Sequence, residues 1–551
     1  MNLLFNQYKR LPRKNKRKAQ AIILAYFTIV FFTLLFAPLF TKIMSERVAL
    51  GRQRLEKEVF YLAEGALEDA INQFMSAIAN FQISPDVSRY PASGNITTIY
   101  QNSTAFPNGA VVYSVVNQAE SGMRQITDPD GTVVKVKAYV VNSTCQHPLD
   151  SSVTISLNQA VLLRVIYTFQ HAVFYADDLE ILPGPNMNFT GRIHSNKDMY
   201  LDSENTLTLN SEYVRSAGNI YNRRKDSPQG QPGDARIKRA GTGAYFYMDG
   251  LDSDDPDWFT ESQSRWHGSV KSSVHGVTKL SVPIVGSIQP DGYYANNANI
   301  KIENGVIKQG NQTLVEGQDI PTGTIVTDTD FYNNREGKYI RMTNLDLKKL
   351  AGADGGYPGY PNHLPTNGLI YATRNDTGTN EQPGIRLING SEIYRSGGLT
   401  IVSNVPVYIQ GDYNTINKKP TAVIADAVNL LSNNWNDTNS TRSLSYRTAT
   451  NTTVNTAFIA GIDNTTQGHY NGGLENYPRL HENWSGKTLT IRGSFVQLWN
   501  SQIAQGAWQY GNPQYTAPNR NWDYDSDFNI NNMPPFTPWA VEAQRSAWWK
   551  S

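Results

Sequence analysis

The sequence predicts an α+β chain with a mainly β body: a long N-terminal transmembrane helix, an antiparallel sheet, then an irregular β-helix or β-solenoid. Three observations carry this. A basic tail runs into an uncharged apolar segment from Ala19 to Phe40. An amphipathic helical pattern continues from it without a break. After Asn95 the apolar period changes from helical to alternating, and beyond Asp177 short apolar runs are punctuated by Gly, Asn, Asp and Pro.

The tail carries Lys9, Arg10, Arg13, Lys14, Lys16, Arg17 and Lys18. The 22 residues from Ala19 to Phe40 rise about 1.5 Å each and cover roughly 33 Å, enough for a bilayer core. No acidic residue precedes Glu46. Charge bias therefore predicts a cytoplasmic N-terminus and an extracytoplasmic body, with the lipid bilayer as first partner. A signal peptide has the same order of regions, but its apolar core is about 7–15 residues and ends in small residues. Here Thr41-Lys42-Ile43-Met44-Ser45 follows, so a retained anchor is expected. Pro38 is expected to kink the helix without ending it.

Beyond the apolar segment, Val48, Leu55, Val59, Leu62 and Ala66 recur on one helical face, and Arg52, Arg54, Glu56, Lys57 and Glu58 supply charge. Such a stripe either buries itself on the following domain or packs the helix into a filament or membrane complex. The helix is expected to run to about Asn80, with Pro85 barring anything longer.

These residues resemble the N-terminal helix of type IV pilin-like proteins. The stretch Phe60-Tyr61-Leu62-Ala63-Glu64-Gly65-Ala66-Leu67-Glu68-Asp69-Ala70 is similar to the A-E-x-x-L-x-x-A segment of PilX-like minor pilins, and marks Glu64 as part of an assembly helix. Lys18-Ala19-Gln20-Ala21 stands where prepilins carry a glycine, and no carboxylate lies inside the apolar segment. Further stretches resemble exported, pilus-associated proteins whose β-rich C-terminal region is poorly characterised. They are Phe189 to Asn196, Phe331 to Glu336, Asn367 to Tyr371, Tyr470 to Phe495, Pro518 to Trp522 and Pro534-Pro535. The resemblance implies pilin-like or pilus-assembly partners and no enzymatic activity.

Composition narrows the remainder. A chain of 551 residues exceeds one ordinary core. Net charge is +1, and the tail holds much of the positive charge, so the body is slightly acidic and nucleic acid is not an expected partner. Cys145 is the single cysteine, which excludes an intrachain disulfide.

Between 95 and 176 the alternation is clear. Val134, Val136, Ala138 and Val140 alternate with Lys135, Lys137 and Tyr139, predicting one apolar and one wet face. Val153–Leu157 and Val161–Phe169 read as further strands, and Asp128-Pro129-Asp130-Gly131 as a turn. A long helix followed by an antiparallel sheet is the α/β-roll plan of pilin-like domains. In the body, Leu179–Ile181, Met187–Phe189, Gly191–Asn196, Met199–Leu201 and Leu207–Leu209 read as short strands. The same texture returns at Gly368–Tyr371, Leu399–Val402, Val405–Ile409, Ala422–Ala425 and Ala457–Ala460. A β-sandwich is the alternative arrangement.

The chain thus divides into a basic tail (1–18), a transmembrane helix (19–41), an amphipathic helix (42–85) and a pilin-like sheet (95–176). A β-rich domain with a loop insertion (177–350) and a β-rich or β-helical C-terminal region (360–551) follow. The insertion, Arg223 to Gly233, is expected to be flexible. Five of the ten tryptophans fall after Gly506; Trp539, Trp548 and Trp549 are expected to cap an open solenoid end or to form a contact patch.

Candidate chemistry is sparse. The eight histidines show no ligand spacing, and no P-loop or nucleophile elbow occurs. His194, beside Arg192 and Ser195, reads chiefly as a turn-capping histidine. The run Asp249 to Asp257 has the carboxylate density of a calcium loop without the D-x-D-x-D-G order, so a solvated acidic turn is favoured. Asp177, Asp178, Asp198, Asp202 and Glu204 would line a groove in a polysaccharide-active enzyme, but turns of any solenoid also collect such residues. The sequence therefore predicts a non-catalytic, membrane-anchored structural component of a pilus-like or pseudopilus assembly, without metal or cofactor. Its rivals are a tethered adhesin that binds a surface glycan, and a β-helical polysaccharide-active enzyme.

Overall fold

In the computed structural model, residues 15–92, 111–466 and 469–551 are described. The basic tail to residue 14 and the start of the sheet region, 93–110, lie outside them. A long apolar helix and a mainly β body of several sheets make up the described chain.

Helix α1 spans Asn15–Ala79 and passes through Pro38. Proline removes the N–H that would bond the carbonyl one turn back. The Thr41 hydroxyl bonds the local backbone, with Ala37 O and Pro38 O both at 2.9 Å. The helix ends in a Schellman motif: Gln82 N–H donates to Ala77 O (2.9 Å) and Phe81 N–H to Ile78 O (3.1 Å). Phe81 sits at φ +59° where glycine is usual. Its ring compensates by stacking on Tyr293 at 4.0 Å and meeting Trp539 edge-on at 5.1 Å.

The C-terminal half of α1 lies on an antiparallel sheet of β1 (Arg89–Ala92), β2 (Val111–Gln118), β3 (Arg124–Thr127), β4 (Val133–His147) and β5 (Asp150–Tyr167). The order is β1-β2-β4-β5, with β3 also paired to β4 and the C-terminal strand Trp539–Lys550 added antiparallel to β5. The two faces of β4 differ from the sequence expectation. Tyr139, Val141 and Cys145 face α1, while Val134 and Val136 pack in a separate cluster with residues of the body. Lys137, expected on a wet face, is buried, and so is Tyr139. Their polar tips are satisfied by the loop after the helix and by the end of β2. Lys137 Nζ lies 2.6 Å from Asp86 Oδ1 and 3.0 Å from Gln118 Oε1, and the Tyr139 hydroxyl donates to Pro85 O at 2.7 Å. Burial pushes the Cys145 thiol up to about 12.

In the body, successive chain passes lay strands beside one another in parallel. One row runs from Val270–Lys271 through Val214–Ser216, Ile193–Ser195 and Val173–Tyr175 to Phe495–Gln497. It continues through Ala457–Ala460, Thr421–Ala425, Leu399–Val402 and Leu369–Thr373 to Ile300–Glu303. A second sheet places Lys338–Asp346, Glu381–Ile388, Val407–Gln410, Val428–Leu431 and Arg479–Leu480 in parallel order. The strands after Ala172 thus pair with the late strand Phe495–Gln497, so the last part of the body stacks on its first part. Regions 177–350 and 360–551 share this row and one apolar core reaching from Ala172 to Trp522. The inner strands of the row, from Val214–Ser216 to Leu369–Thr373, are buried on both faces, which accounts for near-continuous runs such as Leu399–Val402 and Ala457–Ala460, whereas Ile300–Glu303 near one end alternates buried and exposed.

Candidate functional site

Helix α1 divides the residues that the sequence places on one stripe. Up to Arg54 it is exposed along its described length, and it is the one helix among the described residues long and apolar enough to cross a membrane. Val48 is 69% exposed and touches no core, and Glu64 is also exposed. Leu55 is half-buried at the edge of the helix–sheet cluster, whereas Val59, Leu62 and Ala66 are buried within it. The stripe from Val48 to Leu62 is therefore not one free surface: its lower end is already covered by β2, β4, β5 and the C-terminal strand. Helical periodicity marks which face is apolar but not where along the helix a partner begins.

Charged contacts mark the point where the helix meets the sheet. Arg54 pairs with Glu58 at 2.9 Å, and Glu58 Oε2 lies 3.3 Å from His147 Nε2 at the β4–β5 turn. The Arg54 contact, followed by His147, holds the Glu58 carboxyl below its ordinary range. Arg545 makes a bidentate pair with Glu68 and ties the C-terminal strand to the helix. The tryptophans of that strand do not cap the stacked body. Trp539 Nε1 donates to Ile78 O at 3.1 Å, Trp548 lies 6.1 Å from the Phe60 ring, and both Trp548 and Trp549 are exposed.

The candidate chemical residues are mostly consumed by the fold. His194 is buried, stacks on Phe174 at 5.1 Å and donates from Nε2 to Asn196 Oδ1 at 3.0 Å. Burial pushes it down to about 4, so it stays neutral as a structural donor. Asp177 pairs with Lys197 at 2.7 Å and Asp178 with Lys225 at 2.8 Å. Asp198 accepts the Asn219 N–H, and Asp202 the N–H groups of Ser203 and Gln231. In the acidic run, Asp252 accepts the Asn222 N–H, Asp255 caps Asp252 N–H, and Asp249 meets Arg265 at 3.3 Å. No group of three His, Cys, Asp or Glu side chains among the described residues is arranged to hold a metal. The Arg223–Gly233 segment, expected to be flexible, is pinned. Arg224 grips Asp226 at 2.8 and 3.0 Å, and Lys225 N–H donates to the buried Glu180 carboxylate at 3.1 Å.

Of the five grouped carboxylates, Glu204 alone lines a sizeable cleft, which encloses about 520 Å³. One wall is made of turns from the first part of the body, with Leu182, Gly184, Glu204, Asn205 and Arg224. The other comes from late loops bearing Tyr470, Trp508, Tyr510 and Tyr515. The aromatic wall is internally braced. Trp508 stands edge-on to Tyr470 at 5.2 Å and donates from Nε1 to the Tyr515 hydroxyl at 3.0 Å, and Tyr515 in turn donates to Asn476. Arg224 lies over the Tyr470 ring at 4.4 Å.

No protein-family model and no curated protein matches the sequence. Among solved structures, the chain is similar to the competence-associated pilin ComZ from Thermus thermophilus. The TM-score is 0.27 and the identity 11%, over 90% of this chain and 97% of ComZ. A likeness at that level carries no argument of its own.

Glu475 forms part of the cleft floor. Burial pushes its carboxyl up to about 8, against the opposing pull of Arg520, and so favours its protonated form. Leu182 N–H donates to its Oε2 at 3.1 Å. The Arg520 side chain donates to Glu475 O at 3.1 Å. Tyr470 and Glu475 lie in a stretch that the sequence singles out and Trp508 among the late tryptophans, but nothing there ties them, or Tyr510 and Tyr515, to residues 182–224, because that pairing joins segments almost three hundred positions apart. Their shared local signal is a density of aromatic residues in Gly- and Asn-rich loops.

Proposed function

We propose that this chain is a membrane-anchored, non-catalytic structural component of a type IV pilus-like or pseudopilus assembly, of the PilX-like minor pilin kind. The observation that supports it is the division of α1: an exposed apolar half of membrane-spanning length, and a second half packed on an antiparallel sheet. In this reading the N-terminus is cytoplasmic and the free half of the helix lies in lipid or among the helices of pilin-like partners. Val48, Pro38 and the exposed Glu64 belong to the assembly surface. Leu55, Val59, Leu62 and Ala66 hold the helix to its own domain. The rows of parallel strands support reading the body as an irregular β-helix that serves as an extracytoplasmic scaffold.

Mass spectrometry of the mature N-terminus, in membranes and in sheared surface filaments of the native host, tests this. A trimmed N-terminus near Ala19 in filaments is the result expected of a pilin-like subunit. An intact Met1 confined to membranes would remove the filament role.

A further inference from the structure

We propose that the cleft between the early turns and the late aromatic loops of the body binds a neutral oligosaccharide. A sugar ring offers two kinds of surface: patches of C–H bonds and a rim of hydroxyls. The cleft offers a matching pair, with aromatic rings on one wall and short planar polar groups on the other. Its volume of about 520 Å³ falls within the range of small-molecule sites, where apolar walls carry a few placed polar groups.

Two features make the wall a built one rather than a chance gathering of rings. Trp508 is held by its hydrogen bond to Tyr515 and its edge contact with Tyr470, so its orientation is set before any ligand arrives. Tyr510 is 57% exposed yet stands edge-on to Tyr515 at 5.5 Å, presenting a ring to the cleft at little cost to the fold. Rigid aromatic rings supply contact area with little entropy to lose.

The charges favour a neutral ligand. Arg224 is neutralised by its two bonds to Asp226, and burial disfavours the charged form of Glu475. Glu204 and Arg520 remain, one of each sign. An acidic chain would meet Glu204, and a cationic one would meet Arg520. A peptide that docks by adding to a strand edge is disfavoured because the early wall here is made of turns, and a proline-rich peptide, which uses aromatic grooves, is the rival that the test separates.

The test uses the full chain in detergent micelles. Cellotetraose, xylotetraose, chitotetraose and maltotetraose are titrated by calorimetry and tryptophan fluorescence, beside tetragalacturonate and a proline-rich peptide. Saturable binding of at least one neutral tetrasaccharide is expected. It should weaken about tenfold in Tyr510→Ala and in Trp508→Ala, with Tyr510→Ala keeping the melting temperature of the parent. Absence of binding by all four neutral sugars would overturn the proposal. So would binding unchanged in both variants, or binding confined to the acidic sugar or the peptide. The fate of the N-terminus has no bearing on these outcomes, so this proposal and the filament assignment fail separately.

Discussion

Breaking the Lys137–Asp86 pair should loosen the helix–sheet domain and leave the stacked body untouched. The Lys137 side chain is 1% exposed, and its ammonium sits 2.6 Å from Asp86 Oδ1, whose side chain is 50% exposed. Gln118 Oε1 at 3.0 Å, Asp86 O at 3.2 Å and Val87 O at 3.4 Å complete its acceptors. Removing one partner of a fully buried pair costs about 3–5 kcal/mol, because the other charge is left uncompensated. Half of the Asp86 side chain is in water, and solvent screening reduces this to about 2 kcal/mol for Asp86→Ala. Hydrogen exchange of the full chain in micelles reads the change locally. A loss of about 2 kcal/mol corresponds to roughly 30-fold faster exchange of the β4 amides, with the Leu399–Val402 amides unchanged. Lys137→Met should give a similar rise, and the double variant should fall about 1 kcal/mol short of the sum, since the two groups act through one contact. Unchanged β4 protection in Asp86→Ala would refute the reasoning. Equal acceleration in β4 and in Leu399–Val402 would refute it as well, by showing that the two parts do not open separately.

Two further outcomes follow from the helix and from the cleft floor. Leu62→Ala removes a side chain buried between α1 and the sheet and should cost about 2–5 kcal/mol. Val48→Ala, at an exposed position, should stay within about 0.5 kcal/mol; denaturant unfolding in micelles followed by tyrosine and tryptophan fluorescence compares the two, and equal losses would argue against the divided helix. The Glu475 carboxyl is raised by burial from an ordinary value of 4.5 to about 8. The folded chain therefore holds this proton where the unfolded chain has released it. Its contribution to stability is full below pH 4.5, declines as pH rises, and is lost above about 8. Glu475→Gln should flatten the fall in stability between those pH values, and an unchanged slope would show that another group causes it.

Local pattern was sufficient for α1 and several short strands, but not for the strands Ile325–Asn333 and Lys338–Asp346 or the helix Trp258–Trp266. Helical spacing carries α1 to within one residue of its observed end at Ala79, and short apolar runs coincide with Leu179–Ile181, Met199–Leu201, Leu399–Val402 and Ala457–Ala460. These are properties of neighbouring residues, and neighbours are what a sequence displays. Three things were decided by the tertiary structure. The inward face of β4 includes Lys137 and Tyr139, because backbone carbonyls at 85–87 accept from them, and no alternation of apolar residues announces a partner supplied by a distant loop. The strand Trp539–Lys550 joins β5 rather than closing the body, since its apolar side chains fit the free edge beside α1. The aromatic cleft forms where the late loops meet turns near Glu204 and Arg224. Pairing across such separations depends on how the whole chain stacks, and residues at 182–231 and 470–520 acquire a common surface when that stack is complete.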